Sequence, residues 1–201
     1  MKTYLLEFEV EANTALFVRP DTLPTPTSYP APPYSQTKGL IESVLLQRSV
    51  IVNPTRVEIC APLQFHRYST NYGGPLRKAD QVSGGNNYQL LATVLTDVKY
   101  VIHAELLHSG DGPRGINHPH AFQERFYRRL ETGRWWRTPC LGWSEFTPKY
   151  LGRRRANTRP IDLNLEIPSM LHSPWDAPNQ GRLAPSFRQN VRIQKGVMNY
   201  A

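Results

Sequence analysis

The sequence predicts an α+β fold, and three observations carry that prediction. The N-terminal stretch Met1 to Val10 alternates polar and apolar side chains and carries acids, the pattern of a half-buried strand and not of a signal peptide. Two later segments repeat apolar residues at helical spacing, with Leu40, Ile41, Val44 and Leu45 in one and Phe122, Phe126 and Leu130 in the other. Around these lie short runs of β-branched and aromatic residues separated by turn signals.

Taken in order, residues 3–10 form the first strand, and Thr14 to Arg19 continue it briefly or begin a loop. Residues 20–33 hold six prolines, which excludes regular structure and makes a stiff loop. Ser35 or Thr37 caps the first helix. Val50 to Val52 and Arg56 to Ile59 read as short strands on either side of Asn53-Pro54. From Pro62 to Asn87 the chain is polar, with Gly73-Gly74 and Gly84-Gly85 as turn signals. A connection of that length is too long to be ordinary and reads as functional. Tyr88 to Leu95 and Lys99 to Leu107 form a β pair around Thr96-Asp97. The second helix runs from about Pro119 to Thr132 and stops at Gly133, while β-like runs recur at Ile161 to Ile167 and Val191 to Ile193. No repeats occur. The resulting order β, α, β(β), ββ, α, β is that of a ferredoxin-like, split-βαβ domain with a β-rich C-terminal extension.

Composition narrows the function. The 201 residues suffice for one sizeable domain, or one with a small annex, and 18 prolines imply long stiff loops. No run approaches the roughly 18 apolar residues of a membrane span. Cys60 and Cys140 sit at no metal-like spacing, so reduced thiols in a cytoplasm are expected. Residues 101–201 hold 15 Lys/Arg against 8 Asp/Glu, a net of +7, whereas residues 1–100 reach only +1. Arginine outnumbers lysine 18 to 6, which suits phosphate, because the guanidinium fork binds it bidentately. A nucleic acid is therefore one candidate partner, with a membrane surface or an acidic protein as the others.

The segment Ser28-Tyr29-Pro30-Ala31-Pro32-Pro33-Tyr34-Ser35-Gln36-Thr37-Lys38-Gly39-Leu40-Ile41-Glu42-Ser43 begins a family resemblance. Arg56-Val57-Glu58, Thr96-Asp97-Val98-Lys99-Tyr100 and Arg129-Leu130-Glu131-Thr132-Gly133 continue it, the last followed by Thr138-Pro139-Cys140-Leu141-Gly142-Trp143-Ser144-Glu145-Phe146. Together, over residues 5 to about 150, they resemble the CRISPR-associated Cas-five family of the RAMP superfamily, in its subtype I-C variant. The resemblance implies a RAMP ferredoxin-like domain over residues 1–150, with a β-hairpin thumb at about 62–88 that presses on a guide RNA. Residues 151–201 form an unmatched C-terminal extension. It further implies an RNA-binding subunit of a type I Cascade complex in antiviral defence. Such a subunit caps the crRNA 5′ handle, touches the backbone and large subunits, and meets target DNA through the complex.

Candidate RNA contacts follow from chemistry as well as from that resemblance. Lys38 and Gly39 near the first helix's start offer a charge and a close backbone approach to phosphate, or else a solvated lysine and a packing glycine. His66, Arg67, Tyr68, Tyr72, Arg77 and Lys78 interleave rings with cations, as single-stranded RNA requires, on what is otherwise an ordinary exposed loop. Between Arg114 and Arg159 stand 11 basic residues against three acidic ones, among them Arg125, Arg137, Arg153, Arg154 and Arg155. Each could face solvent, and together they form a counter-charge for phosphates.

Asn117-His118-Pro119-His120 is a poor metal site, lacking a nearby Cys or acid, and nothing else in the sequence asks for a metal or cofactor. Two imidazoles could serve as acid and base in metal-independent RNA cleavage. The resembling variant cuts its precursor with a Tyr on the first helix and a Lys-His pair before the second. Here Leu45 stands at the Tyr position, and no lysine occurs between Lys99 and Lys149. The expectation is a binding subunit without efficient cleavage, with His118 and His120 as the residues to test if the chain is an endoribonuclease.

Overall fold

The central strands of this protein turn an apolar face to two helices, and side-chain alternation decides which residues lie on it. The computed structural model describes residues 3–22, 25–72, 83–84, 88–176 and 181–200. The elements are β1 (Tyr4–Ala15), α1 (Tyr34–Val44), β2 (Val50–Ile59), β3 (Phe65–Tyr72), β4 (Tyr88–His108) and α2 (His118–Thr132), then β5 (Tyr150–Gly152), β6 (Leu165–Asp176), β7 (Arg182–Gln194) and β8 (Val197–Asn199). Among the described residues they build one antiparallel sheet in the order β5-β1-β4-β2-β8-β7-β6, with β3 added to β4. An antiparallel, sheet-rich α+β architecture thus replaces the bare element list.

On β1, Leu6, Phe8, Val10 and Ala12 are buried in the main core, and Phe8 meets Phe126 of α2 edge to face at 5.3 Å. Tyr100, Ile102, Ala104 and Leu106 of β4 join the same core, as do Leu40, Ile41 and Val44 of α1. Phe122, Phe126 and Leu130 bury the predicted stripe of α2. Burying three such side chains contributes on the order of 6 kcal/mol before the entropy of ordering them is subtracted. Asn117 caps α2 by accepting the His120 N–H at 3.2 Å, and Gly133 ends it in the left-handed conformation.

Several expectations are corrected. Helix α1 starts at Tyr34 behind Pro33, with no side-chain cap. Thr37, expected as a cap, donates its hydroxyl to Tyr200 at 2.7 Å, and Tyr200 donates to the Pro32 carbonyl at 2.8 Å. Thr96-Asp97 is no hairpin: β4 is one strand of 21 residues. Asp97 does take a left-handed φ of 52°, yet neighbours on both edges carry the strand through it, β1 on one side and β2 then β3 on the other. β2 is likewise one strand, in which a register shift between Pro54 and Arg56 accommodates the missing proline N–H. The polar stretch after Pro62 is half strand, since Phe65–Tyr72 pairs with Tyr88 to Leu95. The Gly73-Gly74 turn signal lies outside the described residues. The proline-rich loop holds a 3-10 turn at Pro20–Thr22 and runs beside β4, with Thr93 donating to the Pro26 carbonyl at 2.8 Å. β6 and β7 extend well beyond the short runs expected, and β8 carries the last residues back against β2.

Candidate nucleic-acid interface

The β3–β4 hairpin stands on a small apolar socket of its own. Leu16, Ala92, Val94 and Phe146 are buried there, with Tyr68 and Trp143 packed against them. Tyr68 contacts the Phe146 ring at 5.4 Å and the Trp143 ring at 6.1 Å, both edge-on. Its ring, expected to stack on a base, is therefore engaged in holding the hairpin upright. Arg67 points to the other face of β3, exposed and unpartnered among the described residues, and His66 is exposed as well. The side chain of Tyr72, and all of Arg77 and Lys78, lie outside the described residues.

The socket explains a motif that sequence alone left without a role. Leu141 accepts a hydrogen bond from the Leu16 N–H at 2.8 Å, and its own N–H donates to Phe146 at 2.9 Å. Gly142 sits between them at a φ of 106°. The Leu-Gly-x-x-x-Phe run is thus the seat of the hairpin.

Helix α2 supplies the second cluster of cations. Arg125 and Arg128, one turn apart, are exposed and unpartnered among the described residues. Arg129 is not free: its guanidinium donates to the Val44 carbonyl at 2.7 Å and closes the C-terminus of α1. The loop beyond α2 is pinned to the same helix end, through Trp136 N–H to Val44 at 3.2 Å and Arg137 N–H to Ser43 at 2.9 Å. Arg134 and Arg137 are thereby presented on a fixed backbone with their side chains exposed, beside the half-exposed Trp136.

Arg153, Arg154 and Arg155 have carboxylate partners instead. Arg153 pairs with Glu131 at 3.0 Å and lies 4.3 Å over the Tyr127 ring. Arg154 reaches Glu58 at 2.9 Å and Glu7 at 3.5 Å. Arg155 binds the fully buried Glu9 through Nε at 2.7 Å and its backbone N–H at 3.0 Å, and its Nη2 joins Glu9 to Glu11. Burial pushes the Glu9 carboxyl up, but the hydrogen bonds from Arg155 and Thr158 outweigh it and leave its pKa below the ordinary value. In Glu11 burial is likewise overcome, by Arg155, Lys149 and Lys99, and its pKa falls to about 2. These arginines, expected among the phosphate ligands, hold residues 153–159 onto the acidic face of the sheet. The alternation Glu7-x-Glu9-x-Glu11 on a strand was the available signal: an acidic strand face requires cations to cover it.

The remaining candidates separate. Lys38 is in the second turn of α1 and faces Glu42 at 3.8 Å, and Gly39 follows it inside the helix, so neither offers free terminal N–H groups. Leu45 is buried, as its spacing implies. His118 is buried with Nε2 at 3.0 Å from the Pro113 carbonyl and its ring 5.0 Å from that of His108. His120 is exposed and edge-on to Tyr4 at 5.5 Å, so the two histidines do not converge on one phosphate. Among the described residues no three His, Cys, Asp or Glu side chains group to hold a metal ion. Both cysteines are free thiols, and burial near Glu58 raises Cys60 to about 11. No helix among the described residues is long and apolar enough to cross a membrane.

Comparison with known proteins gives these features a context. The family described as CRISPR-associated protein (Cas_Cas5) matches residues 5–166. The chain is 26% identical over 203 residues to the CRISPR pre-crRNA endoribonuclease Cas5d of Thermus thermophilus, covering 98% of this chain and 83% of that protein. In structure it is similar to a CRISPR-associated protein, with a TM-score of 0.73 at 16% identity over 100% of this chain and 94% of the other. A functionally uncharacterized protein of Streptococcus mutans, SMU1763c, shows the same TM-score, identity and coverage. A chain of a CRISPR RNA-guided surveillance complex matches at a TM-score of 0.54 and 13% identity, over 98% of this chain and 90% of that one. These structural likenesses establish a shared fold.

Proposed function

This chain belongs to the CRISPR-associated Cas5 family, and from that premise we propose that it is an RNA-binding subunit of a type I surveillance complex that holds the crRNA 5′ handle. We read β1-α1-β2-β4-α2-β5, with its sheet order β5-β1-β4-β2, as the ferredoxin-like RAMP unit, β3 and the first half of β4 as its thumb, and the backbone and large subunits as its neighbours. The observation that carries the reading is the set of exposed guanidiniums with no carboxylate among the described residues. Arg67 stands on the hairpin, and Arg125, Arg128, Arg134 and Arg137 on α2 and its following loop. Cations left unneutralised on anchored backbone suit phosphates, whereas those of Arg154 and Arg155 are spent on Glu7, Glu9, Glu11 and Glu58. The triple change Arg67→Ala, Arg125→Ala and Arg137→Ala is expected to weaken handle RNA binding at least tenfold and flatten its salt dependence by about 2 to 3 phosphate contacts, at unchanged thermal stability. Wild-type affinity in that variant would remove the proposed interface.

The relative's name as an endoribonuclease favours a second reading in which this chain cuts its own precursor. Metal-independent cleavage needs a base at the 2′-hydroxyl and an acid at the leaving oxygen, both aimed at one phosphate. Leu45 is buried and aliphatic, and His118 and His120 point apart. Purified protein incubated in EDTA with labelled precursor is therefore expected to retain the repeat RNA uncut. Site-specific cutting that vanishes in His118→Ala/His120→Ala would make the chain the processing enzyme.

A further inference from the structure

A cleft of about 550 Å³ lies between the first turn of α1 and the β8-β7-β6 end of the sheet, beyond β2, and no residue of the β3–β4 hairpin is among its described lining residues. Its floor is a stacked pair, the rings of Tyr34 and His172 being 4.2 Å apart and 21° from parallel. Arg188, Asn190, Arg192 and Asn199 stand around that pair, and no acid is among the described residues that line the cleft. Arg188 is exposed and has no carboxylate partner among the described residues, while Arg192 is only loosely held by Glu166 at 3.4 Å, with both side chains more than half exposed. Burial and the neighbouring Arg188 keep the His172 imidazole below its ordinary pKa, so at neutral pH it is an uncharged flat ring. Asn190 holds a left-handed φ of 54° opposite Pro168, where the β6–β7 ladder is interrupted. Lys38, four residues after Tyr34, prolongs the same face of α1.

Aromatic platform, side-chain amides and guanidiniums without acids are the parts of a nucleotide site: a ring face for the base, amides for its edge and cations for its phosphate. The volume suits a small ligand, not the flat surface of a folded protein. We propose that this cleft binds one base and its phosphate from single-stranded RNA, as a site separate from the thumb and α2. The inference rests on the RNA-binding reading above.

The test uses the full chain, a fluorescent ten-nucleotide single-stranded RNA carrying 4-thiouridine, and the variants Arg188→Glu, Arg188→Lys and His172→Ala. Arg188→Glu is expected to weaken binding about tenfold and lower the salt slope by about one, with Arg188→Lys restoring most of both. His172→Ala is expected to weaken binding without changing the salt slope, and the photo-crosslink to fall on Tyr34, on residues 170–172 or on residues 188–192. Should Arg188→Glu bind like wild type while the thumb and α2 triple variant does not, the cleft is overturned and the RNA-binding reading stands. Should wild type itself fail to bind RNA, both fall. Loss of subunit assembly with RNA affinity intact would make the cleft a protein contact and overturn it as well.

Discussion

Gly142→Ala is expected to destabilise the protein by about 4 kcal/mol, lowering the thermal midpoint by roughly 10 °C. Two effects add. Gly142 has a φ of 106°, where an L side chain is strained by about 1–3 kcal/mol. A Cβ there would also fall inside the van der Waals envelope of the Leu16 carbonyl oxygen and 2.8 Å from its carbon. Neither neighbour can move cheaply, because Leu16 is tied to Leu141 by a backbone hydrogen bond and both are buried. The same junction seats Phe146 and Trp143 under Tyr68, so RNA affinity should drop along with stability, even below the unfolding transition. An alanine variant with a wild-type midpoint in thermal and urea unfolding would show that the junction yields, and that the hairpin does not depend on it.

Those parts of the fold that were legible in the sequence are set by local chemistry. Phe122, Phe126 and Leu130 recur at one turn and Gly133 supplies the left-handed stop, so α2 is readable from fifteen residues. The start of α1 is not, because the partner of Thr37 is Tyr200, 163 positions away. β4 was read as two strands because Asp97 behaves locally like a turn residue, and only its neighbours on both edges keep it extended. β6 and β7 evade pattern reading for a different reason. Most side chains of β7 are exposed on both faces, and Pro168, Pro174 and Pro185 argue against strands, so backbone pairing carries the outer part of the arm while Ile167, Met170 and Ile193 bury its base.

The candidate site divides in the same way. Residue type showed that arginines were in excess, but which of them stay free of carboxylates depends on where those acids lie. β1 places Glu7, Glu9 and Glu11 on one face, and those acids claim Arg154 and Arg155. That acidic, covered face also excludes the usual single-stranded RNA surface of a four-stranded sheet. The proposed RNA contacts therefore lie on the hairpin, the outer side of α2 and the cleft beside Tyr34.

Arg155→Ala should therefore act on the fold before it acts on any ligand, costing about 3 kcal/mol at pH 7. Removing one member of a buried ion pair strands the other, and Glu9 is fully buried. The figure sits at the low end of the range for such changes because the Arg155 side chain is 44% exposed and solvent screens it. The Arg155 N–H and Thr158 also remain with Glu9. Acid sensitivity identifies the cause. Glu9 and Glu11 titrate below their ordinary values when folded, so the stabilisation they give is complete above about pH 4.5 and is lost as pH falls from there toward about 2. In the variant the stranded Glu9 carboxyl has its pKa raised by burial, and protonation relieves it. The gap between wild type and Arg155→Ala should thus narrow from pH 7 to pH 3, measured by urea unfolding at each pH. Replacing the pair together, as Glu9→Leu with Arg155→Leu, should cost less than Arg155→Ala alone, since no charge is then left buried. A gap that stays constant with pH would mean that the loss lies in the packing of Arg155 over the Tyr150 ring, 4.3 Å away, and not in the charge of Glu9.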